Sequence, residues 1–353
     1  MITKEFTQAS RTRLEKVAEL TAIASPTGYT YDIIKHIQDQ FSEKDIPATL
    51  TPKGGLLVTL KGQDDARQRY ITAHIDTLGA IVREIKADGR LKLDLIGGFL
   101  YNAIEGEYCT VHVSSNDSKV TGTILMHQTS VHVYKDARTA ERSIDNMEVR
   151  LDIPVENEDD VRELGIDVGD FISFEPRIEI TDSGFIKSRH LDDKVSAALL
   201  IEMIEKVTSG ELTLAHTTHF YFSNNEEIGY GGNSNIPLEV EEYLAVDMGA
   251  LGDGQQSDEF TVSICVKDAS GPYHFQMRQA LVELCKENQI EYKLDIYPFY
   301  MSDATGAMRA GYDVRHGLIG AGIDSSHAFE RTHFTSVDYT VELIEAYLAS
   351  KMK

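Results

Sequence analysis

The sequence predicts an α/β fold: a mainly parallel sheet covered by helices on both faces, with a small antiparallel β-barrel domain inserted into it. Three observations predict this class. Helical and strand-like patterns alternate in the first and last parts of the chain, as in parallel sheets. Short β-rich runs separated by turn residues fill the region from about residue 80 to 178. Apolar residues make up 42% of the 353 residues and charged residues 26%, which is typical of a globular chain.

The first part of the chain begins with a predicted helix over residues 10–22, in which Leu14, Val17 and Leu20 recur at helical spacing. The Ser-Pro pair at 25–26 ends this helix, because proline disfavours a helical conformation in the residue before it. The same patterns then predict a helix over residues 31–42 and strands over residues 55–60 and 69–76.

The last part of the chain returns to alternating elements. It predicts a helix over residues 194–207, strands over 218–224 and 242–247, and helices over 274–288 and 341–352. We therefore expect a discontinuous larger domain, residues 1–80 plus 179–353, and an inserted domain, residues 81–178, for oligomerisation and access. Ligands of such sheets bind beyond the carboxyl ends of the strands, where several acidic clusters of this chain lie.

The charge balance excludes some classes of partner. The chain has 34 basic and 57 acidic residues and a formal charge of −23, so its surface should repel nucleic acid and anionic membranes. Its start is polar, without the apolar core of a secretory signal. The three cysteines, Cys109, Cys265 and Cys285, form no disulfide or metal-site spacing. We expect a cytoplasmic protein with no nucleic-acid or membrane partner.

Two motifs place histidine and aspartate at element boundaries. His74 and Asp76, in AHID, share one face of a strand, so Asp76 can accept a hydrogen bond from the ring of a metal-bound His74. The alternative is an ordinary polar pair at a strand end. Asp192 and Asp193, in HLDDK, directly precede a helix. One of them could simply cap that helix, which leaves the other to be explained.

A third motif, NNEEIGYGG, places Glu226 and Glu227 after a buried strand. Burying two such charges is costly without compensation, so one glutamate can bind a metal while the other moves protons. The alternative is a solvated loop. The glycines after them serve a tight turn, and the run lacks the Lys-Ser/Thr ending of a phosphate loop.

Three further segments contribute candidates. Asp247 ends a buried apolar strand and Asp303 precedes a helix, and each could instead be a helix cap. The C-terminal segment GIDSSHAFERTH contributes His327, Glu330, Arg331 and His333. Together, the histidines and carboxylates can supply both metals of a two-metal hydrolytic site. Such ligands suit zinc, with cobalt or manganese as alternatives.

The motifs AHIDTLG, HLDDKVS, NNEEIGYGG, AVDMG and SDATGA span residues 74–307. In this order they resemble the tetrahedral, or deblocking, aminopeptidase family of co-catalytic metallopeptidases, which includes the glutamyl aminopeptidases. The resemblance implies a zinc-exopeptidase-like fold. It also implies a metalloaminopeptidase that hydrolyses the N-terminal peptide bond of short peptides, which have a free N-terminus, through a water activated by two divalent metal ions.

The resemblance also implies a role for each matching residue. His74 and Asp247 would bind one metal, and Glu227 and a C-terminal histidine the other, with Asp192 bridging the two. Glu226 would be the general base and then the general acid, and Asp76 would orient His74. The family implies dimers joined by the β insertion, and six dimers in a tetrahedral dodecamer. A plain dimer is equally compatible with the sequence.

Two histidines compete for the role of the C-terminal ligand, because the family usually has Arg-Tyr-x-His-Ser where this chain has SSHAFERTH. The spacing to the last helix favours His327 over His333 as the ligand. That alignment leaves His333 and Arg331, together with Asp303, as residues that contact the ligands or the substrate.

Three alternative functions stay open. A two-metal carboxypeptidase or an N-acyl-amino-acid deacylase should present an arginine to the substrate carboxylate, and Arg331 is the candidate. A glycoside hydrolase would use two carboxylates without a metal, and the histidines argue against it. A non-catalytic scaffold would be suggested by the loss of Glu226, which is present.

Overall fold

The structure, a computed structural model, describes residues 4–353. Its helices are α1 (Gln8–Thr21), α2 (Tyr31–Glu43), α3 (Glu158–Glu163), α4 (Leu191–Thr208), α5 (Phe275–Glu287), α6 (Asp303–Arg309) and α7 (Phe334–Ala349). Its strands are β1 (Thr49–Leu50), β2 (Leu56–Leu60), β3 (Asp64–His74), β4 (Gly79–Ile85), β5 (Leu91–Ile96), β6 (Tyr108–Val113), β7 (Ser118–Met126), β8 (Met147–Leu151), β9 (Phe171–Phe174), β10 (Glu179–Ile180), β11 (Phe185–Ser188), β12 (His216–Ser223), β13 (Val240–Ala250), β14 (Val262–Lys267), β15 (Tyr292–Ile296), β16 (Arg315–Ile323) and β17 (Glu330–His333).

The main sheet has the strand order β1-β2-β12-β3-β13-β16-β14-β15. Its central strands β12, β3, β13 and β16 run parallel to one another, and β14 runs parallel to β15. The antiparallel pairs lie towards the edges, between β1, β2 and β12 and between β14 and β16. The carboxyl ends of the central strands therefore meet at one edge of the sheet.

Both faces of this sheet are buried, because successive residues of a strand point to opposite faces. Ile71 and Leu244 belong to a large apolar cluster that includes residues of α1, α2, α4, α5 and α7. Their neighbours Tyr70 and Tyr243 belong to a smaller cluster with Ala304 of α6. Helices thus pack on both faces, and the predicted fold class is confirmed.

A closed antiparallel barrel interrupts the larger fold, with the strand order β4-β5-β8-β7-β6-β9. Apolar side chains from its strands, such as Val82, Leu93, Val111 and Ile172, are buried in an apolar cluster of the barrel's own. The predicted antiparallel barrel is confirmed. Its first strand begins at Gly79 and its last ends at Phe174. The predicted domain boundaries, 1–80 with 179–353 and 81–178, stay a prediction.

The closing helix differs from its prediction. It was expected over residues 341–352, but α7 begins at Phe334 and ends at Ala349. Its first turns contain threonine, serine and valine, which are weak helix formers, so the local pattern is poor there. Burial of Phe334 and Val337 against the large apolar cluster favours the helix instead. Within residues 4–353, none of the helices has the length and apolar character that crossing a membrane requires.

Candidate metal centre

His74, the last residue of β3, marks the sheet edge where the candidate residues meet. Its partner in register on the parallel strand β12 is Ser223, so the Asn-Asn-Glu-Glu segment follows directly beside it. Asp247 lies on β13, the neighbour of β3 on the other side. The parallel sheet therefore brings together three segments that are far apart in sequence, as the strand-end argument predicted.

The His74 ring is buried and held in one orientation. Its Nδ1 donates to the backbone carbonyl oxygen of Asp76 at 2.9 Å. Its Nε2 faces Asp192 Oδ1 at 3.0 Å and Asp247 Oδ2 at 4.0 Å. Because Nδ1 serves as the donor, Nε2 is the atom directed at the carboxylates, which is the arrangement of a metal-binding histidine.

The carboxylate of Asp192 lies between two imidazoles. Its Oδ1 faces His74, and its Oδ2 lies 3.4 Å from His327 Nε2. The helix-capping alternative for this residue is wrong, because both carboxylate oxygens face imidazoles and, among residues 4–353, neither accepts a hydrogen bond from a backbone N–H of α4. Asp192 instead stands where a carboxylate can reach two cations at once.

Asp193 is fully buried, and sequence reasoning gave it no role beyond capping. Its Oδ2 accepts a hydrogen bond from the backbone N–H of His74 at 3.1 Å. Its Oδ1 is buried without a partner among the described residues. Ligand atoms of His74, Asp193 and Asp247 lie within 4.8 Å of one another. The sequence feature that could have pointed to Asp193 is its position as the second aspartate of the HLDDK motif.

Asp76 acts differently from the prediction. Its carboxylate is 3.6 Å from His74 Nδ1, so the backbone carbonyl, rather than the side chain, accepts the ring hydrogen bond. The side chain accepts instead from the backbone N–H groups of Glu226, at 3.1 Å, and Glu227, at 3.3 Å. Thr27 Oγ1 donates to the same carboxylate at 2.7 Å. Asp76 therefore fixes the backbone that carries the two glutamates.

The two adjacent glutamates have different surroundings. Glu227 has a side chain only 3% exposed, and its Oε2 lies 3.5 Å from His327 Nε2. Glu226 has a side chain 12% exposed, and its Oε2 lies 3.9 Å from His74 Nε2. Ligand atoms of Glu227, His74 and Asp192 lie within 4.8 Å of one another. The solvated-loop alternative is wrong, because both carboxylates face the cluster.

His327 is held at two points, its ring and its backbone. Its Nδ1 donates to the carbonyl oxygen of Gly98 at 2.8 Å, and Gly98 lies between β5 and β6 of the barrel. Its backbone N–H donates to Glu330 Oε1 at 3.1 Å, and Glu330 Oε2 accepts from the backbone N–H of Asp192 at 3.1 Å. His327 Nε2 is thereby directed at Asp192 and Glu227.

His333 and Arg331 do not reach this cluster. His333 Nε2 faces the carbonyl oxygen of Ser183 at 3.0 Å, and its Nδ1 accepts from the backbone N–H of Thr335 as the cap of α7. Arg331 pairs with Glu259 at 2.6 Å and stacks on the ring of Phe185. The structure therefore does not support contacts from either residue to the ligands or the substrate.

Asp303 stabilises the glycine-rich turn behind the glutamates. Its carboxylate accepts from Ser223 Oγ and from the backbone N–H of Gly232, the latter at 2.6 Å. A Cβ at Gly232 would lie 2.0 Å from the Tyr243 hydroxyl, so only glycine permits this close approach. The capping alternatives for Asp303 and Asp247 are wrong: no side chain caps α6, and Asp247 lies inside a strand that continues to Ala250.

We define the acidic cluster as the five carboxylates that converge on the two histidines: Asp192, Asp193, Glu226, Glu227 and Asp247, with His74 and His327. Among residues 4–353, the ion pairs of these carboxylates are with histidine and never with lysine or arginine. Burial and the Asp192 charge raise the pKa of Glu227 to about 8 and that of Asp247 to about 7. Buried carboxylates with imidazoles, and an unpartnered Asp193 oxygen, fit divalent cations.

A cavity of about 460 Å³ opens onto the acidic cluster. Carboxylates and His327 form one end, and the loop that carries Phe299, Tyr300 and Met301 forms another wall. Gly98 from the barrel also contributes to the lining. The cavity is large enough for a small organic ligand. The site therefore combines a cation-binding cluster with space for a substrate beside it.

Comparison with known proteins identifies the family of this site. The profile of the M42 glutamyl aminopeptidases matches residues 54–343. The chain belongs to this family. The match includes every residue of the acidic cluster. M42 peptidases are metal-dependent, so the predicted metalloaminopeptidase, a peptide hydrolase, is confirmed. The carboxypeptidase, deacylase and glycoside hydrolase alternatives are not favoured.

Individual relatives agree with the M42 assignment. The Bacillus subtilis (strain 168) protein named "Putative aminopeptidase YhfE" is 61% identical over 342 residues, which cover 97% of this chain and 99% of that protein. A TET aminopeptidase from a marine sediment thaumarchaeon matches with a TM-score of 0.86 and 18% identity, over 96% of this chain and 97% of the other. Pyrococcus horikoshii TET1 peptidase, described as assembling into a tetrahedron or an octahedral shell, matches with a TM-score of 0.83 and 21% identity, over 96% and 100%.

Proposed function

We propose that this M42 peptidase removes the N-terminal residue of short peptides at a centre that holds two divalent metal ions. His74 and Asp247 would hold one ion. Glu227 and His327 would hold the other, and Asp192 would contact both ions. The observation that supports this assignment is the position of Asp192, whose two oxygens face the two imidazoles. His74 has two further cluster carboxylates beside it, those of Asp247 and of the proposed base Glu226, and His327 has that of Glu227.

Zinc is the proposed metal, and cobalt or manganese could replace it, because imidazole and carboxylate ligands suit all three. When bound, two divalent cations polarise a carbonyl group and lower the pKa of a water molecule. The three proposed carboxylate ligands leave a net charge of about +1 against two such cations. That residual charge favours the negative oxygen that develops during amide hydrolysis.

Glu226 is the proposed general base. Its side chain lines the cavity, and no hydrogen bond between its carboxylate and another described residue restrains it. Its backbone N–H is fixed by Asp76, so the residue is anchored while its carboxylate faces the cavity. Glu226 would take a proton from water and pass it to the leaving amine, which is the usual work of a general base that becomes an acid.

The acidic cluster also favours substrates with a free amine. A protonated N-terminus that enters the cavity meets Glu226 and Asp303, two lining carboxylates that are not proposed metal ligands, and these attract a cation and repel a second carboxylate. The arginine expected of the carboxypeptidase and deacylase alternatives, Arg331, is paired with Glu259 instead. We therefore place the amino end of the substrate at the cluster.

The proposal extends to assembly and location. The TET1 relative assembles into closed shells, and we propose that this chain also associates with itself through residues 81–178, from a dimer up to a dodecamer. A cytoplasmic location fits the three buried cysteines, which are all free thiols among the described residues. Light scattering of the purified protein tests the assembly, and a monomer would contradict it.

A metal-reconstituted assay tests the activity. Protein stripped by chelation and reloaded with zinc, cobalt or manganese should cleave dipeptides and C-terminally blocked dipeptides with a free N-terminus. It should not cleave the matching N-acylated dipeptides. Cleavage of N-acylated dipeptides alone would indicate a deacylase. Full activity in protein that elemental analysis shows to be free of metal would contradict the two-metal centre.

A further inference from the structure

One positively charged side chain lines the cavity beside the acidic cluster and has no role in the proposed reaction. Among the described residues that line it, Arg309 is the sole lysine or arginine. Arg309 is exposed, and its Nη2 donates to Ser270 Oγ at 2.7 Å. Within the described part of the chain, no carboxylate forms an ion pair with it. A guanidinium has five N–H donors, so Arg309 keeps donors for a ligand.

The backbone around Arg309 is well supported. Thr305, Gly306 and Arg309 line the cavity from one side of α6, three and four residues apart. Thr305 Oγ1 donates to Asp268, which is buried and accepts from the backbone N–H of Ser270 at 2.7 Å. One carboxylate thus ties α6 to the loop that holds the guanidinium. The arginine is presented from a fixed helix rather than from a mobile chain end.

The length of α6 separates Arg309 from Asp303, a carboxylate that lines the same cavity. Asp303 is its first residue and Arg309 its last, so their α-carbons lie about 9 Å apart along the helix axis. An extended peptide spans roughly 3.4 Å per residue, so about 9 Å corresponds to two to three residues. A small peptide could therefore have its amine near Asp303 and Glu226 and a carboxylate at Arg309, all of which line this cavity.

We propose that Arg309 determines specificity by binding a carboxylate of the substrate, an inference that rests on the proposed function. Glu226 and Asp303 line the cavity without being proposed metal ligands and repel a second negative group, so a substrate carboxylate is more stable at the Arg309 end of the cavity. Arginine is suited to this role because its planar fork binds a carboxylate through two hydrogen bonds. The carboxylate is either the side chain of an acidic N-terminal residue or the C-terminus of a dipeptide or tripeptide.

Two substrate pairs separate these sources. Glutamyl and glutaminyl p-nitroanilides differ only in side-chain charge, and both lack a terminal carboxylate. Leucyl-glycine and leucyl-glycinamide differ only at the C-terminus. For each pair we measure the ratio of kcat/KM values in the metal-loaded protein. Arg309 should favour the charged member of at least one pair by about tenfold or more in kcat/KM. A tenfold ratio corresponds to about 1.4 kcal/mol.

Variants assign the preference to Arg309. Arg309→Met should bring the affected ratio close to one, mainly through KM, and Arg309→Lys should keep part of it. The control is Arg278→Met, which removes the same charge from α5, where Arg278 stacks on Phe275 and does not line the cavity. Metal content and thermal unfolding are measured for each variant. Arg309→Lys also covers the case in which the methionine variant folds poorly.

The outcomes are distinct. A fall in the glutamyl to glutaminyl ratio assigns Arg309 to an acidic side chain, and a fall in the glycine to glycinamide ratio assigns it to the peptide C-terminus. If neither ratio changes in either Arg309 variant while leucyl p-nitroanilide is still cleaved, the inference is wrong and the proposed function stands. If the wild-type protein cleaves none of these substrates, the proposed function itself is wrong, and the inference with it.

Discussion

The Nδ1 atom of His327 lies 2.8 Å from the carbonyl oxygen of Gly98. His327 belongs to the larger fold, and Gly98 lies in the segment expected to serve only association and access. Because a ligand histidine is oriented by the hydrogen bond of its other nitrogen, the barrel also helps to position a candidate ligand. The inserted segment and the metal centre are therefore structurally coupled.

Gly97→Ala should disturb this coupling. Gly97 has φ +92°, which an alanine adopts only with strain, and a Cβ there would lie 2.4 Å from Leu78 Cδ2, so we expect the loop and the adjacent Gly98 carbonyl to shift. Metal affinity should fall by about 10–100-fold, as when other groups behind metal ligands are removed. Elemental analysis across a series of free metal concentrations measures it. The control is Gly106→Ala, which has φ +88° but open space at the Cβ position. Equal losses in both variants would contradict the coupling.

The two glutamates should separate on substitution. Glu226→Gln should lower kcat by about 10²–10⁴-fold with both metals retained, because a general base is lost while the ligands remain. Glu227→Gln should lose one metal, since Glu227 faces His327 and Asp192. Metal stoichiometry and steady-state kinetics on the same preparations decide the case. Equal metal loss in both variants, without a selective loss of rate, would be inconsistent with these roles.

The two C-terminal histidines should also differ. His327→Ala should weaken one metal site, because its Nε2 is directed at two cluster carboxylates. His333→Ala should leave metal occupancy near normal and instead destabilise the fold by about 0.5–2 kcal/mol, the usual effect of removing a helix cap. Metal titration and denaturant unfolding measure the two effects. Reversed occupancies would move the ligand to His333.

Glu330→Gln should weaken the centre without removing a proposed ligand. Glu330 accepts from the backbone N–H groups of Asp192 and His327, and an amide has only one oxygen to replace the two. A buried N–H left unpaired costs about 1–3 kcal/mol. We expect weaker metal binding and lower activity in a protein that is still folded. Metal titration measures the binding, and circular dichroism checks the fold. The control is Glu259→Gln, which affects only the pair with Arg331. Unchanged metal affinity in Glu330→Gln would show that this bridge is dispensable.

The metal centre was largely predictable because its candidates follow buried apolar runs or stand at the start of a helix, although Asp247 lies inside its strand rather than at the end. His74, Asp192 and Asp247 could be found from that position and from residue type alone. Glu330 and Gly98 could not be given their contacts, because hydrogen bonds between a side chain and a distant backbone leave no local pattern. Asp193 was visible only as the second member of a pair. The carboxylate of Asp76 was assigned to the wrong partner because the spacing of two residues cannot distinguish a side-chain acceptor from a backbone one.

The fold was predictable where the periodicity was strong and was missed where glycine weakens it. β16 lies between β13 and β14, yet its sequence contains Gly317, Gly320 and Gly322, and glycine is depleted in strands. A Cβ at Gly320 would lie 1.5 Å from the carbonyl oxygen of Asp247. The glycine is explained by this close approach of two backbones, which appears only when the strands are paired.

The contacts of Asp76 separate the shape of the centre from its chemistry. Its carboxylate binds Glu226 and Glu227 only through their backbone N–H groups, so these hydrogen bonds do not depend on the side chains at the two positions. A variant with an inert side chain at position 226 should keep the frame and the cavity intact. Such a protein would be a receptor that retains peptides without turning them over, and would allow a bound substrate to be seen directly by crystallography.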